Sequence, residues 1–273
     1  MIEETKATEL ASVGEDPVKI EGDPLSPEEN ALISKMMELG VFYGHSKSRT
    51  NPKMRKYIVG NRSGFSVINL RKTVSKLSKA KKLIESVVFK EEAIMIVGTS
   101  PSVKGAVKAM SEELELPYVT ERWLGGTLTN FDTISKRIKY LKKLKEEQAE
   151  GSWDKYTKKE KLDKERELNK LDRLFGGIES LDKVPALVIL TDLTNNESAS
   201  REAKALDIPV LGILNTDSDP NLVTVGIPAN DKNVNSVEFL LDQLKEMIVE
   251  ARKHIPEKKI EVEEKSEEEK KND

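Results

Sequence analysis

The loops that follow apolar runs hold the residue types best suited to chemistry. Residues 98–105 read Gly-Thr-Ser-Pro-Ser-Val-Lys-Gly and follow the apolar run at 93–97. They match neither the dinucleotide fingerprint nor the P-loop, because only Gly98 lies in the turn and Lys104 is out of register. The amides at the start of the following helix could still receive a phosphate. Three interpretations stay open: a bound nucleotide, a structural helix cap, or contact with a phosphate of a nucleic-acid backbone.

Residues 215–220 form a second such loop, with two carboxylates spaced two apart. The pair could ligate a hard cation, but an EF-hand loop needs Gly at its sixth position, and Pro220 stands there. Asp and Ser beside Pro are also common turn residues. The two histidines, His45 and His254, lie 209 residues apart in the chain, and there is no cysteine. We therefore predict no catalytic residues, no metal site and no cofactor.

A segment without acids gives the stronger functional signal. Residues 39–84 contain twelve Lys and Arg and no Asp or Glu, although the whole chain has a formal net charge of −3. Lys and Arg neutralise phosphates, and Asn and Ser donate hydrogen bonds to them. Phe42 and Tyr57 carry rings that could stack on unpaired bases, as RNA recognition often requires. The alternative, which we favour less, is a loop whose charges are balanced by acids elsewhere in the fold. The predicted RNA-binding residues are Arg49, Lys53, Arg55, Lys56, Arg62, Lys72, Lys76, Arg122, Lys136 and Arg137.

The net charge averages three unlike regions. Residues 1–38 sum to −7 and residues 254–273 to −3, whereas residues 39–253 sum to +7. A basic body with acidic ends predicts a polyanionic partner for the body. The ends themselves have a simpler interpretation as solubilising tails. We expect a disordered acidic extension at 1–30 and a charged, disordered tail at 254–273.

Composition narrows the class of protein. With 273 residues, 37% of them hydrophobic and 34% charged, the chain can bury one substantial core. Its longest apolar runs are far too short to span a bilayer, and its first residues lack the pattern of a signal peptide. The absence of cysteine excludes disulfides and thiol nucleophiles. We expect a cytoplasmic protein with no membrane partner and no small-molecule substrate.

The elements that must position these residues alternate between strand and helix. Short apolar runs at 93–97, 118–120, 186–190 and 209–214 predict strands of a buried parallel sheet, and the run at 225–227 predicts an edge strand that ends at Pro228. The helical stretches between and around them are 28–39, 71–88, 101–114, 197–206 and 234–252, with Ser100 predicted as an N-cap, while residues 65–70 read as an alternating strand. The pattern predicts an α/β domain at 31–129 plus 176–253, with helices on both faces of the sheet.

Residues 130–175 interrupt this alternation. Helical patterns at 130–150 and 157–175, separated by a short break, predict an antiparallel helical hairpin that projects about 30 Å. Its residues 131–174 hold fourteen bases against ten acids. We predict that Trp123 packs at the root of the hairpin and that the glycines around the root let the chain turn into and out of it. These glycines are Gly125, Gly126, Gly176 and Gly177.

Several ordered motifs then become recognisable. They are GVFYGH at 40–45, NPKM at 51–54, RWLGGTLTN at 122–130, LFGGI at 174–178 and SDP at 218–220. Over about residues 36–252 the chain resembles the bacterial small ribosomal subunit protein two family. The resemblance implies a flavodoxin-like α/β fold with a protruding coiled-coil hairpin and a non-catalytic role. It also implies binding to small-subunit ribosomal RNA (rRNA) on the 30S particle, between head and body, where the family helps hold small-subunit protein one.

The chain departs from the family pattern at three places. Phe42 stands where many members have a histidine, residues 215–217 invert the usual Asp-Thr-Asn, and Ala229 replaces a common glycine. These changes bear on local turns and on any bound ion. Two hypotheses remain: a structural RNA-binding protein of the small subunit, and an α/β enzyme that uses a nucleotide at 98–105. Equilibrium binding of ATP or NAD separates them.

Overall fold

The computed structural model describes residues 26–254. The predicted acidic extension and charged tail fall largely on residues 1–25 and 255–273, which lie outside the described residues. The strands are β1 (Tyr43–Ser46), β2 (Ile58–Arg62), β3 (Phe65–Ile68), β4 (Ile94–Val97), β5 (Tyr118–Val119), β6 (Leu187–Leu190), β7 (Val210–Leu214) and β8 (Val225–Pro228). The helices are α1 (Pro27–Glu38), α2 (Leu70–Phe89), α3 (Lys104–Leu114), α4 (Phe131–Ala149), α5 (Lys158–Phe175), α6 (Glu197–Ala205) and α7 (Val234–Lys253).

Five strands form the parallel sheet that the apolar runs predicted. Their order is β5-β4-β6-β7-β8, and every neighbouring pair is parallel. Counted along the chain this is the order 2-1-3-4-5, which is the flavodoxin-like arrangement. Strands β4, β6 and β7 are buried along their whole length. Helices cover both faces, so every side chain of these strands must be apolar, and the predicted fold class is confirmed to this extent.

Each face of the sheet has its own hydrophobic core. Successive side chains of β4 alternate, so that Ile94 and Ile96 lie in one cluster while Met95 and Val97 lie in the other. The first cluster includes buried side chains of α1, α2, α3 and α7. The second includes those of α4, α5 and α6 together with Trp123. Helices α4 and α5 therefore share a core with the second face of the sheet.

Helices α4 and α5 occupy the segment where a helical insertion was predicted. Their seams bury Ile138 and Leu141 on α4 and Leu168 and Leu171 on α5. Lys164 Nζ lies 3.2 Å from Glu147 Oε2 across the pair. Thr157 begins α5 with a capping box, since its hydroxyl accepts from the Glu160 amide and the Glu160 carboxylate accepts from the Thr157 amide. The coiled-coil character of this pair stays a prediction.

The acid-free segment folds differently from the prediction of a loop followed by one strand. Strands β1, β3 and β2 form a separate antiparallel sheet in that order, and two 3₁₀ turns, Lys47–Arg49 and Pro52–Tyr57, lie between β1 and β2. Asn51 caps the second turn by accepting from the Lys53 amide. Ser63 and Gly64, with φ of 50° and 83°, make the tight turn between β2 and β3. Charged and polar residues in these short strands hide their periodicity from sequence analysis.

The predicted cap of α3 is wrong. The helix begins at Lys104, its N-cap residue is Val103, and the Ser100 hydroxyl is bonded to the Ser102 hydroxyl at 3.0 Å. Val103 is buried, so an extra turn before the helix brings its side chain into the core. No helix within residues 26–254 is long and apolar enough to cross a membrane.

Candidate nucleic-acid interface

The basic turns between β1 and β2 are fixed to the loop that follows β7. The His45 amide donates to the Thr216 hydroxyl at 2.8 Å, and the Asn51 amide donates to the Thr216 carbonyl at 2.8 Å. The same loop carries Asp217 and Asp219, the carboxylates that were weighed as cation ligands. Because two backbone amides are bonded to Thr216, the basic turns have a defined position at the carboxyl ends of the parallel strands.

Two of the ten predicted RNA-binding residues are balanced by carboxylates of that loop. Arg49 Nε lies 3.5 Å from Asp217 Oδ2, and Lys53 Nζ lies 2.6 Å from Asp219 Oδ2. The hydrogen bond from Lys53 is the main cause that lowers the pKa of Asp219 below its usual value. The alternative interpretation, in which acids of the same chain balance the basic segment, therefore holds for these two residues.

The other eight predicted residues form no ion pair within the part of the chain that the structure describes. Seven of them are exposed and Lys76 is half-buried. Arg55 and Lys56 lie near the end of the second 3₁₀ turn, and Arg62 ends β2. The eight residues are Arg55, Lys56, Arg62, Lys72, Lys76, Arg122, Lys136 and Arg137.

The ring of Tyr57 is not available to a base, and its prediction as a stacking residue is wrong. Tyr57 is 8% exposed and lies under two cations, with Lys56 Nζ 5.1 Å and Lys76 Nζ 5.9 Å from its ring centroid. The Lys72 ammonium donates to the Lys56 carbonyl, so α2 and the basic turn are joined at this point. The prediction failed because this ring is part of the hydrophobic core.

Phe42, the other ring predicted to stack, is half-buried and packs against the first core. Its ring centroid lies 4.1 Å from that of Tyr43. The large exposed rings of this region are instead Tyr43, 48% exposed, and Phe65, 53% exposed. Sequence reasoning missed both, although the alternation of β3 already separates Phe65 from its buried neighbour Ser66.

The loop at 122–130 is organised by a carboxylate that the sequence did not single out. Trp123 is buried, and its Nε1 donates to Glu202 Oε1 at 3.0 Å. The Gly126 amide donates to the same oxygen at 2.9 Å, and the Leu128 amide donates to Oε2 at 3.0 Å. Burial alone would raise the pKa of Glu202, but these hydrogen bonds lower it below its usual value. Glu202 thus fastens α6 to the entry of the helical pair.

The four glycines of this region differ in their surroundings. Gly126 has φ of +88°, a conformation that L residues rarely adopt. A Cβ on Gly177 would lie 2.3 Å from the Tyr118 carbonyl oxygen, so only glycine fits against β5 there. A Cβ on Gly125 would meet no atom within 4 Å, and one on Gly176 would lie 3.0 Å from a carboxylate oxygen of Asp172.

The loops after β6 and β8 bring two buried carboxylates around one lysine. Lys232 Nζ lies 3.5 Å from Asp192 Oδ2 and 3.2 Å from Asp231 Oδ2, and both acids are fully buried. Burial raises the pKa of Asp192, and the charge of Asp231 raises it further. Asn215 also donates to Asp231 at 2.6 Å. No group of three or more His, Cys, Asp or Glu in residues 26–254 is placed to hold a metal ion.

The turn after β4 is closely packed at its first residue, Gly98. A Cβ on Gly98 would lie 2.4 Å from Thr191 Oγ1 and 2.7 Å from Val107 Cγ2. Thr99 is occupied by a hydrogen bond to Asn196 at 3.1 Å. This is the switch point of the sheet, where doubly wound folds bind ligands. Side chains of the protein itself pack against Gly98 there, which favours the structural interpretation of the turn.

Comparison with known proteins agrees with these features. A family model described as Ribosomal protein S2 matches residues 36–251. The chain is also 37% identical, over 243 residues, to the small ribosomal subunit protein uS2 of Chlorobaculum tepidum. That alignment covers 88% of this chain and 98% of the relative.

Proposed function

The chain belongs to the ribosomal protein S2 family, and we propose that it binds small-subunit rRNA through its basic turns and the helical pair. Members of the family are structural components of the small ribosomal subunit and not enzymes. The ribosome is cytoplasmic in bacteria, in keeping with the location expected from the sequence.

One observation carries the proposal: three exposed cations in and beside the basic turns have no carboxylate partner within the described residues, although Arg49 and Lys53 do. Arg55, Lys56 and Arg62 form no ion pair within residues 26–254, and no acid occurs in the sequence from 39 to 84. Clustered positive charge without internal compensation repels itself. Phosphates of a nucleic acid supply the missing anions, and release of their counterions drives binding.

The helical pair extends the proposed interface. Lys136 and Arg137 are exposed on α4, and Arg122 is exposed beside the buried Trp123. We infer that α4 and α5 act as a coiled-coil arm that contacts rRNA. In keeping with the family resemblance, the protein also helps to hold small-subunit protein one on the particle. The fixed attachment of the root through Glu202 suits an arm that must keep its direction.

Charge reversal in the basic turns tests RNA binding. We expect Arg55→Glu with Lys56→Glu to reduce incorporation into reconstituted small subunits at least tenfold, while the free protein stays folded. Both side chains are exposed, so their substitution opens no cavity in the core. Tyr57 loses the ammonium of Lys56 but keeps that of Lys76 over its ring. Incorporation is measured by sedimentation of particles with labelled protein, and folding by circular dichroism.

A matched control reverses Lys90 and Lys183, which are exposed near the amino ends of the parallel strands. Lys90→Glu with Lys183→Glu changes the net charge by the same amount and should incorporate like the wild type. Wild-type incorporation of the Arg55 and Lys56 variant would overturn the proposed role of the basic turns.

Retention of small-subunit protein one is tested on the same particles. Particles assembled without this chain should lose that protein, and adding the wild-type chain back should restore it, as measured by quantitative mass spectrometry. Equal amounts with and without the chain would contradict the recruiting role but leave the role in RNA binding intact.

A further inference from the structure

The small antiparallel sheet has an outer face that carries two exposed aromatic rings. We propose that this face, made of Tyr43, Val67, Phe65 and Arg62, is a stacking platform for unpaired bases of single-stranded RNA. The inference rests on the proposed function, since it adds a base-stacking site to a protein proposed to bind RNA phosphates.

The strand register places these side chains on one face. In β3, Ser66 and Ile68 are buried, whereas Phe65 is exposed and Val67 half-buried. Tyr43 of β1 pairs with Val67, and Arg62 of β2 pairs with Phe65. Directly paired residues of antiparallel strands lie on the same face, and diagonal neighbours lie roughly 7–8 Å apart. Tyr43 lies opposite Val67, two positions from Phe65 on the same face, and the register of β1 with β3 shifts between this pair and the pair of Ser46 with Phe65. We infer that two successive nucleotides of an extended strand reach both rings.

The platform is rigid on its inner side. The Ser66 hydroxyl lies 2.9 Å from that of Thr50 and 3.1 Å from Asn61 Oδ1. The ring of Phe42, which packs against the first core, lies 4.1 Å from the ring of Tyr43, so that Tyr43 contacts a side chain anchored in the core. Little conformational entropy remains to be lost when a base stacks on a ring that is held in this way.

The charge around the platform selects a nucleic acid over a protein surface. Arg62 is exposed, stands opposite Phe65, and forms no ion pair within the described residues. Lys47 is attached beside the turn, because its amide donates to the Gly64 carbonyl. Aromatic rings flanked by cations bind single strands, since each base presents a π-face and each phosphate a charge. Sheet-borne aromatics stack two or three bases in a common RNA-binding domain, which shows that this geometry suffices.

The test measures the binding of labelled RNA by fluorescence anisotropy. The probes are an unstructured cytidine–adenosine repeat of about 12 nucleotides and an RNA duplex of the same length. Phe65→Leu and Tyr43→Leu should each weaken binding of the single strand at least about fivefold, because each removes one base stack. Binding of the duplex should change less than twofold, because its bases stay paired and stacked. The slope of log K against log salt should stay unchanged for both variants, because no phosphate contact is lost.

Two controls separate stacking from charge and from general loss of aromatic surface. Arg62→Gln should lower the salt slope for the single strand by about 0.7. Phe89→Leu removes a half-buried ring at the carboxyl end of α2, near the amino ends of the parallel strands and outside the proposed interface, and it should bind the single strand like the wild type.

Each remaining outcome decides the question. If Phe65→Leu and Tyr43→Leu bind the single strand like the wild type, the platform does not stack bases, and the phosphate-binding role tested with Arg55 and Lys56 still stands. An equal loss on the duplex would overturn stacking in the same way. If the variants keep RNA binding but lose a neighbouring ribosomal protein from reconstituted particles, the face is a protein docking surface, and the inference fails.

Discussion

The loop at 122–130 and the basic turns at 47–57 differ in whether their polar and charged groups find partners within the chain. In the first, the Trp123 indole and the amides of Gly126 and Leu128 all donate to Glu202, so these three donors are satisfied by the chain itself and only Arg122, at the start of the loop, is an exposed cation without an ion pair in the described residues. In the second, Arg55 and Lys56 are exposed, and neither forms an ion pair with a carboxylate of the described residues. Internal satisfaction indicates a region built for folding, and uncompensated charge indicates one built for a partner.

The largest expected effect is a loss of stability when Glu202, the hydrogen-bond acceptor of the loop at 122–130, is removed. Glu202→Ala leaves the Trp123 indole and two backbone amides without their acceptor, and we expect a loss of about 2–4 kcal/mol in the free energy of unfolding. Urea denaturation followed by circular dichroism measures it. Glu197→Ala is the matched control on the same helix, because its partner Arg201 is exposed, and it should cost less than about 0.5 kcal/mol. Equal losses in the two variants would show that Glu202 does not organise the loop.

The second prediction concerns how the stability contributed by Glu202 depends on pH. The pKa of Glu202 is lowered in the folded protein, so the folded state binds its proton less readily than the unfolded state does. Its stabilising contribution is therefore present above the unfolded pKa and is lost as pH falls through the folded pKa. We expect the difference in unfolding free energy between the wild type and Glu202→Gln to shrink between pH 6 and pH 3. A difference that stays constant over this range would contradict the assigned hydrogen bonds.

The parallel sheet could be predicted because its strands obey a simple rule. A strand covered on both faces must be apolar throughout, and β4, β6 and β7 read that way in the sequence. The start of α1 was predictable for a similar reason, since Ser26 and Glu29 make the capping box by local contacts alone. Structural features that are determined by residues close together in the chain can therefore be predicted from a single sequence.

Contacts between residues far apart in the chain could not be predicted in this way. Glu202 lies 79 residues from Trp123, and no local pattern marks it as a hydrogen-bond acceptor for the loop. The alternation of β3 separates Phe65 from the buried Ser66, but no local pattern shows that the ring of Tyr57, in a 3₁₀ turn, is buried beneath Lys56 and Lys76. The candidate residues on the surface were thus easier to name as a charged group than to place one by one.

The smallest expected effect concerns a cation of the basic turns that does have a partner within the chain. Lys53 lies in the basic turns but is already paired with Asp219 at 2.6 Å. Asp219→Asn removes the carboxylate, so Lys53 becomes free to bind a phosphate, and RNA affinity at low salt should rise about two- to fivefold with a steeper salt dependence. The free energy of unfolding should fall by less than about 1 kcal/mol, because the pair is partly exposed. Binding by fluorescence anisotropy at several salt concentrations measures the change.

Asp242→Asn is the control for the loss of one negative charge, since Asp242 is exposed on α7 and forms no ion pair within the described part of the chain. It should leave RNA affinity unchanged within a factor of about 1.5. An equal rise in both variants would mean that RNA senses the overall charge and not the freed Lys53. The contrast between the basic turns and the loop at 122–130 would then be one of net charge alone, because pairing with an internal acid would not decide which cations reach the partner.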